Sequence, residues 1–107
     1  MSQNRYIDTR GAVTEPVPFT EAVVDGLAPG GGLFVPESIP HLTLDEICEL
    51  GTLPYAQRAA RIYCAFNTDL TDEQIDRITR EAYGDNFDTP EVCPLSPLPN
   101  DIYLLEL

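Results

Sequence analysis

The chain has 107 residues, which suits a single domain over residues 1–107 and leaves no room for a second hydrophobic core. Its 18 acidic and six basic residues give a formal net charge of -12. This charge argues against nucleic acid and anionic membrane as partners, because both bind clustered Lys and Arg. We find no apolar run near the roughly twenty residues of a membrane span and no signal-peptide pattern, and we predict a cytoplasmic protein.

The first predicted elements are a short strand and a short helix joined by an extended segment. The strand is the apolar pair Tyr6-Ile7, and the helix begins near Glu21 with Thr20 as its N-cap residue. Gly26 can end this helix with a positive φ angle. Residues 29–32 (PGGG) then predict a tight reversal of the chain.

The next elements are a strand and a second helix. Residues 33–35 (LFV) are apolar and are closed by a proline, which is typical of a buried strand. The second helix begins at a capping box, in which Thr43 is the N-cap residue and Glu46 is the third helical residue. Gly51 ends it.

A third and a fourth helix follow. Pro54 suits the first turn of the third helix, whose apolar residues recur at helical spacing: Ala56, Ala59, Ala60, Tyr63 and Phe66. Thr71 and Gln74 form a second capping box at the start of the fourth helix. Its predicted buried stripe is Ile75, Ile78 and Ala82, and Gly84 ends it.

The last segment is rich in proline, and residues 85–101 are predicted to run extended as a linker. Residues 102–105 (IYLL) form the final strand candidate. Together these elements predict an α+β fold, mostly helical, with about four helices. We expect one small sheet of short strands that combines the terminal segments with residues 33–35.

Few residues are candidates for chemistry. Residues 30–32 (GGG) lack both the G-K-[ST] and the G-x-G-x-x-G patterns, so a turn with positive φ angles is favoured over a phosphate loop. His41 stands without partners and is read as a surface residue, which leaves no predicted metal site. The three cysteines, Cys48, Cys64 and Cys93, have apolar neighbours, which favours buried reduced thiols over metal or redox function.

Arg10 is the one polar residue with a candidate binding role. Thr9 and Gly11 can present a hydroxyl and a backbone N–H beside its guanidinium, a combination that suits an anionic oxygen. The alternative is a structural ion pair between Arg10 and one of the many carboxylates.

Three segments resemble the N-terminal domain of threonine synthase. Residues 6–11 (YIDTRG) match the family's Y-x-S-T-R-G-like start, with Asp8 where serine is usual. Residues 19–36 match its F-x-E-A-(hydrophobic)2-x-G-L-A-x-x-G-G-L-F-x-P element. The final Leu105-Glu106-Leu107 matches the opening of its L-E-L-F-H-G-P-T segment.

The resemblance implies a parent lyase that uses pyridoxal phosphate to convert O-phospho-L-homoserine and water to L-threonine and phosphate. The family's cofactor lysine lies a few residues beyond the L-E-L-F-H-G-P-T segment, and all six basic residues of this chain are arginines. We therefore expect no catalytic and no cofactor-binding residue in this chain, and no activity from it alone. A phosphate-bearing substrate makes Arg10 the candidate substrate-binding residue.

The resemblance also implies a partner, the remainder of the same parent chain. Loss of that partner would leave Ile102–Leu105 bare, so we expect weak self-association. The alternative function is a stand-alone acidic module that binds another protein.

Overall fold

A computed structural model describes residues 2–107, with four α-helices and two separate two-stranded antiparallel sheets. The helices are α1 (Phe19–Asp25), α2 (Leu44–Leu50), α3 (Tyr55–Ala65) and α4 (Asp72–Ala82). The strands are β1 (Tyr6–Asp8), β2 (Phe34–Pro36), β3 (Leu95–Leu98) and β4 (Ile102–Leu105). The predicted α+β fold with four helices and short strands is confirmed.

The two sheets do not form the one sheet that was expected. β1 pairs with β2, with Ile7 opposite Val35, whereas β4 pairs with β3 in the segment that was predicted to be a linker. Asn100 and Asp101 adopt positive φ angles of 66° and 57° between the two strands. Asn and Asp tolerate such angles better than most residues, so they can reverse the chain into a hairpin. The prolines are tolerated because both strands of a two-stranded sheet are edge strands.

The capping boxes of α2 and α4 form as predicted. In α2, the Glu46 N–H donates to Thr43 Oγ1 (3.2 Å) and the Thr43 N–H donates to Glu46 Oε2 (2.7 Å). In α4, the Gln74 N–H donates to Thr71 Oγ1 (3.2 Å) and the Thr71 N–H donates to Gln74 Oε1 (2.8 Å). Both patterns satisfy backbone donors that a helix start leaves unpaired.

The start of α1 differs from the prediction. The helix begins at Phe19, and Thr20 lies inside its first turn instead of capping it. The Thr20 N–H donates to Asp69 Oδ1 (3.1 Å), and the Thr20 hydroxyl donates to the other carboxylate oxygen. Burial raises the pKa of Asp69, but the hydrogen bonds from Thr20 outweigh it and hold that pKa below its ordinary value. The carboxylate of Asp69, which is far from α1 in the sequence, therefore takes the capping role that was predicted for the Thr20 side chain.

Aromatic rings join β1, α1 and α3. The ring centroids of Tyr6 and Phe19 lie 5.6 Å apart, and those of Phe19 and Tyr63 lie 6.3 Å apart. Such separations are typical of favourable aromatic pairs. Beside them, α4 packs on α3 and buries Ile75 and Thr79. These contacts form the small core of the molecule.

Several residues that were predicted to be buried are exposed. Of the stripe predicted on α4, Ile75 is 3% exposed, but Ile78 is 44% exposed and Ala82 is also exposed. Leu33 and Cys48 are exposed as well, contrary to the buried strand and the buried thiols that were expected. The apolar pattern identified the helix correctly, but no helix or strand in the described part of the chain covers the second half of its apolar face.

Among residues 2–107, no helix is both long enough and apolar enough to cross a membrane.

Candidate functional site

The predicted binding residue lies where the loop after β1 meets the glycine turn before β2. We call this region the Arg10 corner and define it as residues 8–13 together with residues 29–33. Because β1 and β2 pair, their connecting segments lie side by side. Thr9 joins them, since its N–H donates to the Leu33 carbonyl (3.0 Å) and its hydroxyl oxygen accepts from the Leu33 N–H (3.0 Å).

Asp8 organises the loop from within. Its buried carboxylate accepts backbone N–H groups of Arg10 (3.1 Å), Ala12 (3.1 Å) and Val13 (2.9 Å). The bond from Val13 is the main reason that the pKa of Asp8 lies below its ordinary value, and the bonds from Ala12 and Arg10 add to it against the opposing effect of burial. The charged form of Asp8 therefore holds the loop in shape.

This pKa shift predicts an acid-sensitive loop. Since the folded pKa of Asp8 is below the ordinary 3.8, its stabilisation is complete above that value and is lost as the pH falls through the folded pKa. We expect Asp8→Asn to be less stable than the parent chain at pH 7 and the difference to shrink below about pH 4. Urea unfolding at a series of pH values measures this. A difference that stays constant from pH 7 to pH 3 would contradict it.

Arg10 reaches across the glycine turn. Its Nη1 donates to the Gly30 carbonyl (2.8 Å), and the residue is exposed. The alternative predicted for Arg10, an ion pair with a carboxylate, does not form: within residues 2–107 the one ion pair joins Arg80 Nε to Asp76 Oδ2 (2.8 Å). The guanidinium has five N–H donors, so Arg10 retains donors and a positive charge that an anion could use.

The glycine turn allows this close approach. Gly30 and Gly31 have φ angles of 80° and 82°, as predicted for the turn. A Cβ atom on Gly31 would lie 3.2 Å from Arg10 Nη1, and one on Gly32 would lie 3.0 Å from Asp8 Oδ2. A side chain at Gly31 would therefore crowd the Arg10 guanidinium, and one at Gly32 would crowd the Asp8 carboxylate.

The remaining sequence candidates do not gather into a site. His41 is exposed, and no group of three potential metal ligands occurs in residues 2–107. The three cysteines are free thiols at separate places, with Cys64 and Cys93 partly buried.

A second feature was missed by sequence reasoning. Helices α1 and α4 enclose an apolar groove of about 440 Å³, which we call the α1–α4 groove. Its wall is almost entirely apolar and includes Phe19, Val23, Val24, Ile75, Ile78 and Ala82. The sequence signal that could have revealed this groove is the apolar stripe on α4, because the stripe contains more apolar residues than the fold buries.

The fold matches the N-terminal part of solved threonine synthases. The PLP-bound threonine synthase of Brucella melitensis superposes with a TM-score of 0.81 and 31% identity, covering 97% of this chain and 22% of that one. The Escherichia coli threonine synthase gives a TM-score of 0.74 and 29% identity, covering 95% of this chain and 22% of that one.

The sequence matches agree. The threonine synthase of Pseudomonas aeruginosa is 38% identical over 104 residues, which are 96% of this chain and 22% of that protein. Human threonine synthase-like 2 is 35% identical over 95% of this chain and 21% of its own length. Residues 5–83 match the family model described as threonine synthase N terminus, so the chain belongs to that family. It spans about a fifth of the length of each of these four proteins, and the resemblance seen in its motifs is confirmed.

Proposed function

We propose that this chain acts as the N-terminal domain of a threonine synthase, a lyase that converts O-phospho-L-homoserine and water to L-threonine and phosphate. The observation that carries the proposal is the match of 97% of the chain, at a TM-score of 0.81, to a PLP-bound threonine synthase. On this proposal the protein is cytoplasmic, which suits its three free thiols.

The residues of this chain do not fit pyridoxal phosphate as a resident cofactor. That cofactor is held by the primary amine of a lysine side chain, and the six basic residues here are all arginines. On the proposal, the cofactor and the catalytic residues belong to the remainder of the parent chain. The 107-residue chain alone is inactive.

The partner of the chain is accordingly the remainder of its own parent. The β3–β4 hairpin supports this, because cross-strand neighbours share a face and both faces are apolar. Leu95 and Leu105 lie on one face, Leu98 and Ile102 lie on the other, and all four are exposed. Strands with two apolar faces are typical of sheets that are covered on both sides.

Within the parent, we assign Arg10 to the anionic phosphate of the substrate. Three features support the assignment: the side chain is exposed, it is anchored to the Gly30 carbonyl, and it forms no ion pair with a carboxylate of residues 2–107. Arginine suits phosphate because its planar donors match the geometry of the oxygens.

A chimaera tests the proposal. This chain replaces the matched 104 residues of the Pseudomonas aeruginosa threonine synthase, and threonine and phosphate are measured after addition of O-phospho-L-homoserine. We expect turnover by the chimaera and none by the isolated chain. Arg10→Ala should lower kcat/KM by about tenfold or more, since one hydrogen bond to a charged group contributes about 1.5–3 kcal/mol.

Arg77→Ala is the control, because Arg77 is exposed on α4 and lies outside the Arg10 corner. Equal losses for the two variants would contradict the role of Arg10. A folded chimaera without turnover would favour the stand-alone acidic binding module.

A further inference from the structure

The α1–α4 groove is an apolar surface that no helix or strand of residues 2–107 covers. Val24 on α1 is 85% exposed and Ile78 on α4 is 44% exposed, although both line the groove. Apolar side chains scattered singly over a surface are ordinary, but a contiguous set around a concave space marks an interaction site. The groove therefore needs an occupant.

The chemistry of the wall favours an apolar protein segment over a small polar ligand. Ligand pockets usually offer a few polar groups that orient the molecule. Here the hydroxyl of Thr20 donates to Asp69 and the hydroxyl of Thr79 donates to the Ile75 carbonyl (2.9 Å). None of the residues that line the groove is charged. Tyr63 and Tyr83 also line the groove, but its wall is almost entirely apolar, so it recognises apolar side chains mainly by burial.

Charge argues against a second copy of this chain as the occupant. Each copy would carry a net charge of -12 into the contact. Like charges repel, so two copies that met at this groove would pay an electrostatic cost. A segment of different sequence avoids this repulsion.

We propose that the α1–α4 groove binds an apolar segment from the part of the parent threonine synthase that this chain does not span. The inference rests on the proposed function, since it requires that parent. The matched relatives provide ample chain for it, because this chain covers only 22% of the Pseudomonas aeruginosa enzyme. Groove docking would anchor the N-terminal domain independently of the Arg10 corner.

The test compares Val24→Asp with Ile39→Asp in two settings, the isolated 107-residue chain and the chimaera with the Pseudomonas aeruginosa enzyme. Ile39 is a matched control because it is 80% exposed, close to the 85% of Val24, and does not line the groove. In the isolated chain, Ile39→Asp should leave the thermal midpoint within about 1 °C of the parent chain, whereas Val24→Asp should lower it by about 1–5 °C, because a carboxylate in the last turn of α1 opposes the helix dipole. In the chimaera, the midpoint loss from Val24→Asp should be at least about 3 °C larger than in the isolated chain, and the loss from Ile39→Asp should stay the same.

Two results would overturn the inference. One is a midpoint loss for Val24→Asp that is no larger in the chimaera than in the isolated chain. The other is dimerisation of the isolated chain, measured by sedimentation, that Val24→Asp abolishes, because it would identify a second copy as the occupant. An unsubstituted chimaera that folds but does not form threonine would contradict the proposed function, while the comparison of midpoints would still report on the groove.

Discussion

Ile75→Ala should lower the free energy of unfolding by about 2–5 kcal/mol, whereas Ile78→Ala, three residues further along α4, should lower it by at most about 1 kcal/mol. The two substitutions remove the same atoms from the same helix. Ile75 is 3% exposed and its loss leaves a cavity, but Ile78 is 44% exposed and its site is open to water. Urea unfolding followed by circular dichroism gives both values.

The pair is its own control, because helix propensity changes equally at both positions. Similar losses for the two variants would mean that the groove face of α4 is covered in the isolated chain. That result would also weaken the case for a segment of the parent in the groove. The comparison requires the same m-value for both variants, since an unchanged m-value shows that unfolding exposes the same surface area in each.

Gly31→Ala should cost more stability than Gly11→Ala. Both glycines have positive φ angles, 82° and 69°, so an alanine costs about 1–2 kcal/mol at either position. Only at Gly31 does the new Cβ meet a neighbour, Arg10 Nη1 at 3.2 Å, whereas Gly11 faces open space. The guanidinium must then move, and its 2.8 Å bond to the Gly30 carbonyl weakens.

A double-mutant cycle isolates this contact. In an Arg10→Ala background, the costs of Gly31→Ala and Gly11→Ala should become equal, because the neighbouring group is absent. Chemical denaturation of the three single and two double variants measures it. A difference that persists without Arg10 would show that the extra cost at Gly31 has another origin, and that Arg10 is not held against the turn.

Much of the local structure was predictable from the sequence. The capping boxes at Thr43 and Thr71 form as predicted, and Gly30 and Gly31 adopt the positive φ angles expected of their turn. Each of these features depends on residues that are at most three or four positions apart, so one short segment of the sequence contains all the residues that interact. The family was recognisable for a similar reason, because its motifs are short and contiguous.

The site was only partly predictable. The sequence singled out Arg10 beside Thr9 and Gly11, and it predicted the glycine turn as a separate element. It did not indicate that the turn lies against Arg10, or that Asp8 holds the loop through three backbone N–H groups. Those contacts exist because β1 pairs with β2, and no local pattern states which strands pair.

The sequence by itself therefore determined the four helices, the glycine turn and the family of this protein. The tertiary structure alone decided which strands pair, which carboxylate caps α1 and which side of α4 is covered. The Asp69 carboxylate accepts the Thr20 N–H at the start of α1, although the two residues are 49 positions apart. Ile78 has the same apolar side chain as Ile75, but it lies in an open groove. Local propensity and spacing act over a few residues, whereas burial depends on the elements that pack nearby.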